Sequence, residues 1–268
     1  MGAQWVSAVS WLGFGVGAVL FGRGMWRARP TQQLLGAGIA FYALSLRIFA
    51  PLGVGGARAP LTTDGRVWAA TFAVVAGAAM LALLLLIEGA QPAGTGTHRR
   101  LRLLCGVAVV SAVVLRVVMW LPGPDLPPSS DFLNAYGGDA RVVVYELVFA
   151  AWLGLPLGAL GTFVFRFQRG VTRWCTFAGC LAGVGWAVWK VAGVAVRFIT
   201  GDVIPLASPV SVATGVTSLA LVVGGLVSGQ LRDAVRQARE NREYALARRA
   251  DDERHCTPAP DSTDTPAA

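Results

Sequence analysis

The amino-acid sequence predicts an all-α, polytopic membrane protein with seven transmembrane helices, an N-terminus outside the cell and a C-terminus in the cytoplasm. Three observations lead to this prediction. The composition is too apolar for a soluble chain, seven apolar runs are long enough to cross a bilayer, and most arginines stand in alternate connections between those runs.

The composition indicates the solvent for which the chain is built. Of its 268 residues, 54% are hydrophobic and 14% are charged, whereas soluble domains carry about 25% charged residues. The net charge of +8 is also a property of nucleic-acid-binding proteins, but here the basic residues are clustered between apolar runs, which is typical of a membrane topology signal. The expected partner is therefore the lipid bilayer, and no nucleic-acid partner is expected.

Each predicted helix is an apolar run that crosses about 30 Å of hydrocarbon at about 1.5 Å per residue. The first run is rich in glycine and the second contains Arg47, so a protein of five or six spans is the alternative. A cleaved signal peptide is disfavoured for the first run, because residues 1–4 carry no basic residue and the basic cluster follows the run. The seven runs are residues 5–21, 33–50, 67–87, 103–121, 142–165, 174–199 and 203–227.

The arginines predict the orientation in the cell membrane. The connections after the first, third and fifth runs hold three arginines each, and residues 232–254 hold seven. The three other connections together hold only three, namely Arg58, Arg66 and Arg141. Because connections rich in arginine stay in the cytoplasm, the N-terminus is predicted to lie outside. That orientation with a cytoplasmic tail requires an odd number of spans and favours seven.

Two polar segments lie outside the predicted spans, one within the predicted transmembrane domain of residues 1–229 and one after it. Residues 122–140 carry three aspartates, four prolines and no basic residue, which predicts an irregular acidic loop on the outer surface. Residues 230–254 mix arginine with acidic residues and predict a cytoplasmic helix, followed by a disordered tail over residues 255–268. That helix either lies on anionic lipid or recruits a cytoplasmic protein, or it is solvated and only fixes the topology.

Patterns for catalysis or metal binding are missing from the sequence. His98 and His255 each stand alone, no two carboxylates share a span, and no serine stands in a nucleophile elbow. We therefore expect neither an enzyme nor a cofactor nor a metal site. The cysteines show no metal-binding spacing and fall on the predicted cytoplasmic side, where thiols stay reduced. They are Cys105, Cys175, Cys180 and Cys256.

Five ionisable residues lie inside the predicted spans and form the candidate ligand-binding cluster. Counted at 1.5 Å per residue, four of them lie roughly 6–8 Å below the outer boundary, and the fifth, Arg197, lies near the outer interface. Charges in a bilayer are costly, about 2.5–3.5 kcal/mol each at its centre, so they usually face the bundle interior and pair. The five residues are Arg47, Arg116, Glu146, Lys190 and Arg197.

This cluster has two interpretations. In the first, it forms an outward-facing polar cavity of positive potential for a small anionic solute, in which Glu146 pairs with Lys190, or else with Arg116 or Arg47. In the second, the cations extend to the lipid headgroups and one buried ion pair only fixes the helix register. Small residues at helical spacing form a separate pattern that predicts close helix contacts. They are Gly154, Gly158, Gly161, Gly179, Gly183, Gly225 and Gly229.

Two segments carry a resemblance to a known family. Residues 27–47, RARPTQQLLGAGIAFYALSLR, and residues 177–194, FAGCLAGVGWAVWKVAGV, resemble a family of actinobacterial seven-span membrane proteins that are described as transporters. The resemblance covers about residues 20–230, and longer members of that family add a cytoplasmic C-terminal domain. It implies a membrane role and transport, and it transfers no functional residue to this chain.

Together these patterns predict a transporter, or a transport accessory, that handles a small anionic solute through the outer cluster. The alternative is a membrane sensor or scaffold whose cytoplasmic tail recruits a partner. The sequence has no internal repeat, which counts against a conventional secondary transporter. The cytoplasmic connections are short, which counts against a receptor that signals through them. The substrate, the energy source and the oligomeric state are not predicted.

Overall fold

The structure is a computed structural model. It describes residues 2–49, 61–89, 96–123, 125–129, 131–167, 170–203 and 210–229, together with residues 232, 240, 243 and 244. The chain divides into two compact units, Met1–Gly225 and Leu226–Ala268.

The all-α prediction is confirmed over the described ranges. They contain seven long helices, one short helix and no strand, apart from an isolated antiparallel bridge between Leu61 and Ser129. The helices are α1 Gly2–Trp26, α2 Pro30–Phe49, α3 Thr63–Gly89, α4 Thr97–Trp120, α5 Phe132–Tyr136, α6 Ala140–Phe167, α7 Val171–Thr200 and α8 Val210–Gly229.

Six of the long helices are long and apolar enough to cross a membrane, which identifies a membrane-embedded helical protein. They are α1, α3, α4, α6, α7 and α8, found among the described residues. The exception is α2, which has 20 residues but a lower mean hydropathy, because it carries Gln32, Gln33 and Arg47. Eight of its residues are buried, including Ile39 and Tyr42, so α2 is an internal element of the bundle.

The helices of the first unit pack around a core of aromatic and aliphatic side chains. α2 packs on α1 and α3, α3 packs on α4 and α6, and α6 packs on α7. α8 joins α7 through Ser218, whose hydroxyl donates to the Gly179 carbonyl over 2.8 Å. The core includes Tyr42, Tyr145 and Leu219. It therefore draws on α2, α6 and α8 together.

Small residues bring these helices close together, as the glycine pattern predicts. A Cβ atom on Gly154 of α6 would lie 2.6 Å from the Ala187 side chain of α7. A Cβ atom on Gly179 of α7 would lie 2.8 Å from the backbone nitrogen of Val222 in α8. Only glycine permits backbones to approach so closely at these points.

The connection between α4 and α6 matches the predicted irregular surface loop over the described residues 121–123 and 125–129, which are mostly exposed, and departs from it beyond them. It contains α5, and the side chains of Phe132 and Leu133 in that helix are buried. The Thr63 hydroxyl at the start of α3 donates to the Leu126 carbonyl over 3.1 Å. The connection therefore packs onto the bundle at the start of α3, because burial of its two apolar side chains outweighs its polar composition.

The second unit is described only in part. Beyond Gly229 the described residues are Arg232, Glu240, Glu243 and Tyr244, and all four are helical and exposed. The rest of the predicted cytoplasmic helix, the predicted disordered tail and Cys256 lie outside the described residues.

Candidate functional site

Glu146 on α6 and Lys190 on α7 form a buried ion pair. The Lys190 Nζ atom lies 3.1 Å from the Glu146 Oε2 atom, and the two side chains are 12% and 3% exposed. This is the pairing that the predicted depths favour, and it is confirmed. Because the carboxylate is almost fully removed from solvent, loss of its cationic partner would leave a buried charge without compensation.

The ion pair lies in the wall of a cavity between five helices. The cavity is near the end of the bundle at which α2 and α7 end and α3, α6 and α8 begin, and its volume is about 50 Å³. A buried water molecule needs about 10–15 Å³ measured in this way, so about three to five waters would fill the cavity. It is lined by Tyr42, Leu46, Phe49, Arg66, Tyr145, Glu146, Phe149, Leu153, Trp186, Lys190, Ser211, Val212 and Gly215.

Arg66 supplies a second cation to this cavity. It stands in the first turn of α3 and is only 4% exposed. Its Nη2 atom donates to the Ser129 carbonyl over 2.6 Å, and its guanidinium carbon lies 4.3 Å from the centre of the Phe132 ring. The connection between α4 and α6 therefore holds Arg66 in place with one charge-assisted hydrogen bond and one cation–π contact.

Sequence reasoning placed Arg66 in a connection outside the spans and so missed it as a site residue. The helix begins at Thr63, four residues before the apolar run that defined the predicted span. The Gly65 backbone N–H donates to the Thr62 hydroxyl over 3.2 Å, as expected of a residue that caps a helix N-terminus. The threonine and aspartate that precede Arg66 are the signal that places it inside the helix.

Two tyrosine hydroxyls tie the helices around the cavity together. Tyr145 of α6 donates to the backbone carbonyl of Arg66 over 3.0 Å, and Tyr42 of α2 donates to the Gly215 carbonyl of α8 over 3.4 Å. Both side chains also contribute apolar ring surface to the cavity wall. Phe149 continues that surface, with its ring centre 5.5 Å from that of Trp186 in an edge-to-face arrangement.

Within the described part of the chain, three buried polar atoms of the cavity residues have no hydrogen-bond partner. They are Arg66 Nε, Trp186 Nε1 and Ser211 Oγ. The first two can only donate a hydrogen bond, and the hydroxyl can donate as well as accept. An unsatisfied buried donor costs about 1–3 kcal/mol. These three atoms have almost no accessible surface, so they lie against packed protein rather than against the open space of the cavity.

The cavity holds more cations than carboxylates in its wall. Among its described lining residues, Arg66 and Lys190 are cations and Glu146 is the single carboxylate, while Asp131, outside the lining, also acts electrostatically on Arg66. The same lining contains no histidine or cysteine, so it offers a poor ligand set for a metal ion. The arrangement is suited to a negatively charged ligand.

The remaining members of the predicted cluster do not line the cavity. The guanidinium carbon of Arg47 lies 5.8 Å from the Trp11 ring centre, and that of Arg116 lies 4.4 Å from the Trp68 ring centre. Arg197 donates to the Gly201 carbonyl at the end of its own helix. The structure therefore brings together Glu146 and Lys190, adds Arg66, and gives the other three cations separate partners.

Comparisons of this chain with protein-family models, with curated proteins and with solved structures give no match. The fold and the cavity define the class of protein: an all-α, membrane-embedded protein with a buried polar site near one end of its helix bundle.

Proposed function

We propose that this chain is a seven-span protein of the cell membrane that handles a small anionic solute through the cavity, as a transporter or transport accessory. One observation carries the proposal, namely the presence of Arg66 and Lys190 beside the single carboxylate of Glu146 in one cavity. A structural ion pair alone requires only one of these cations. The second cation in the same cavity wall is what a site for an anion requires.

The proposed topology counts α2 as the seventh span. Its 20 residues extend about 30 Å, the thickness of the hydrocarbon core. Its polar residues are compatible with a span because neighbouring helices shield it, with α1 on one side and α3 on another. With the arginine-rich connections in the cytoplasm, the N-terminus and the cavity face outward. A solute would then enter from the outer side. The resemblance to seven-span transporters also supports a role in transport.

The test is whether small anions bind the purified protein at Arg66. Thermal unfolding in detergent is measured with sodium chloride, nitrate, formate, acetate, sulfate or phosphate, each against sodium gluconate at equal ionic strength. At least one anion is expected to raise the Tm with a saturable dose dependence. An anion at 100 times its Kd stabilises the folded state by about 2.7 kcal/mol.

The matched control compares two arginines at the same end of the bundle. Arg66→Gln is expected to abolish the anion-dependent shift, whereas Arg116→Gln, outside the cavity, is expected to retain it. Flux of the stabilising anion into proteoliposomes then distinguishes a transporter from an accessory. If every anion gives the same Tm as gluconate, the proposed function is wrong.

A further inference from the structure

We infer that a groove between α3 and α6, at the end of the bundle opposite the cavity, binds one phospholipid whose headgroup carries a primary ammonium, the chemistry of phosphatidylethanolamine. The inference goes beyond the proposed function, because it depends on the membrane-embedded bundle and not on any solute. Three features of the groove support it: its apolar walls, the two charges at its mouth and the level at which those charges lie.

The walls of the groove are apolar and come from two helices that pack on each other. The lining residues recur at helical spacing from Leu81 to Glu88 on α3 and from Ala159 to Arg166 on α6, so one face of each helix supplies one wall. Seven residues rise about 10 Å, and the volume of the groove is about 230 Å³. A groove of this length and polarity accommodates the part of an acyl chain nearest its headgroup. It is lined by Leu81, Leu84, Leu85, Glu88, Ala159, Thr162, Phe163 and Arg166.

The mouth of the groove carries one acid and one base. Glu88 and Arg166 are both exposed, and within the described part of the chain neither side chain makes a hydrogen bond or an ion pair. They therefore do not neutralise each other, although they line the same groove. A headgroup with a phosphate and a primary ammonium is complementary to both charges. Its phosphate accepts hydrogen bonds from the guanidinium, and its ammonium donates to the carboxylate.

Glu88 stands where a helix disfavours an acid. It is the second-last residue of α3, whose last turn contains no basic residue. The helix dipole places partial negative charge at this end, so it repels a carboxylate there, whereas Arg166 in the last turn of α6 is favoured. An anionic lipid would require only Arg166. The acid beside it is explained by a ligand that also carries a cation, because that cation offsets the repulsion.

The two charges lie at the level of lipid headgroups. The apolar helices end at Gly89 and Arg166, so Glu88 and Arg166 mark the boundary between the hydrocarbon and the polar region of the bilayer. α3 and α6 both begin at the cavity end of the bundle and therefore both end at the opposite one. A phospholipid whose acyl chain lies along Leu81 thus has its headgroup beside both charges.

The experiment measures lipid binding to the detergent-purified full chain by native mass spectrometry, with dioleoyl phosphatidylethanolamine, phosphatidylcholine and phosphatidylglycerol as probes. The parent is expected to bind one ethanolamine lipid more tightly than the other two, because choline has no N–H to donate and glycerol has no positive charge. Glu88→Gln is expected to weaken that binding about fivefold, equivalent to about 1 kcal/mol, the upper range for an accessible ion pair. It should also remove the preference over the glycerol lipid. Arg166→Gln should weaken the binding of all three lipids.

Matched controls separate the groove from the rest of the surface. Ala159→Leu places a larger side chain in the groove and is expected to abolish the tight binding, whereas Ala192→Leu, at an exposed alanine of α7 outside the lining, should retain it. Arg100→Gln, at an exposed arginine in the first turn of α4 outside the lining, should also retain it. Because Glu88 and Arg166 are exposed, their variants are expected to keep the Tm of the parent.

The outcomes decide the inference independently of the anion measurements. A preference for the ethanolamine lipid that Glu88→Gln removes and Arg100→Gln retains supports it. Equal binding of the three lipids to the parent, or a preference that Glu88→Gln and Ala159→Leu leave unchanged, overturns it, because lipid then only surrounds the bundle. Tightest binding of the glycerol lipid to the parent also overturns it and makes the groove a site for an anionic lipid.

Discussion

Glu146 and Lys190 are 44 residues apart in the sequence and only 3.1 Å apart in the bundle. The pair joins α6 to α7 in the wall of the cavity, with the carboxylate 3% exposed and the lysine side chain 12% exposed. Removal of one partner leaves the other charge buried without compensation, whereas removal of both leaves neither. This asymmetry distinguishes a direct ion pair from two independent buried residues.

We therefore expect Glu146→Gln to destabilise the fold by about 3 kcal/mol, the lower part of the range for a broken buried pair, because Lys190 keeps some contact with solvent. Lys190→Met in the same chain should recover part of that loss. The measurement is the free energy of unfolding in detergent for the parent, both single variants and the double variant. Additive effects of the two substitutions would exclude direct coupling between them.

The depth of this pair could be predicted from the sequence, because a helix rises by a fixed distance per residue. The direction in which a side chain points around its helix axis could not be predicted in the same way. It depends on which helices are neighbours, and this is decided by tertiary packing. Arg47, Arg116 and Arg197 have suitable depths, yet they contact Trp11, Trp68 and Gly201 instead of the cavity.

Two further features of the structure could not be predicted from the apolar runs of the sequence. Arg66 belongs to the cavity because α3 begins at Thr63, ahead of its apolar run. α5 forms within a segment rich in proline and aspartate because Phe132 and Leu133 find buried positions against the bundle. In both cases the capping of a helix or the burial of two side chains outweighs the average composition of the segment.

The contact of Phe132 with Arg66 leads to a prediction about α5. Phe132 is 2% exposed, and its ring packs against Arg66 and Tyr145. Phe132→Ala is expected to lower the free energy of unfolding by about 3–4 kcal/mol, through lost burial and the void that remains. Trp120→Ala, at a side chain that is 70% exposed, is the control and should change it much less. Equal effects of the two substitutions would contradict the docking of α5 on the bundle.

The proposed orientation predicts the labelling of the connections in intact cells. Reporter fusions after Arg29, Arg100, Arg169 and Arg254 are expected to behave as cytoplasmic, because the arginine-rich segments stay inside. Single cysteines introduced near residues 57 and 130, in a background without native cysteines, are expected to react with a membrane-impermeant reagent. An externally labelled tail would overturn the orientation. A cytoplasmic signal at residue 57 would remove α2 from the set of spans.

A pH-dependent contribution is expected at the start of α6. The Arg141 guanidinium donates to both carboxylate oxygens of Asp139, at 3.1 Å from Nε to Oδ1 and 2.7 Å from Nη2 to Oδ2. This hydrogen bonding lowers the pKa of Asp139 below its usual value. The contribution to stability is therefore complete above about pH 3.9, the unfolded value, and is lost as the pH falls through the lowered pKa.

The Asp139 carboxylate also caps α6, because it accepts from the Arg141 backbone N–H over 2.8 Å. Asp139→Asn should accordingly destabilise the fold at pH 7 by about 0.5 kcal/mol, since asparagine still caps the helix but loses the charge. Asp139→Ala should cost about 1 kcal/mol, since the cap is lost as well. Chemical unfolding at pH 7 and at a pH below the lowered pKa checks the sign. The difference between the parent and Asp139→Asn must shrink at the lower pH. A difference that grows on acidification would contradict the pairing of Asp139 with Arg141.

The last prediction concerns the contact of α7 with α8, which is made through the backbone at Gly179. A Cβ atom there would lie 2.8 Å from the Val222 backbone nitrogen and 2.9 Å from the Val222 side chain, so α8 would have to shift. Gly179→Ala is therefore expected to lower the Tm and to cost about 1–3 kcal/mol, as overpacking of a tight core does. Gly185 lies on the same helix with open space around its Cβ position. Gly185→Ala is expected to be neutral or to stabilise by up to about 1 kcal/mol through its higher helix propensity. If Gly179→Ala stabilises the protein as much as Gly185→Ala does, the helices do not meet at Gly179, and the position of Ser211 at the start of α8 beside the cavity would lose its support.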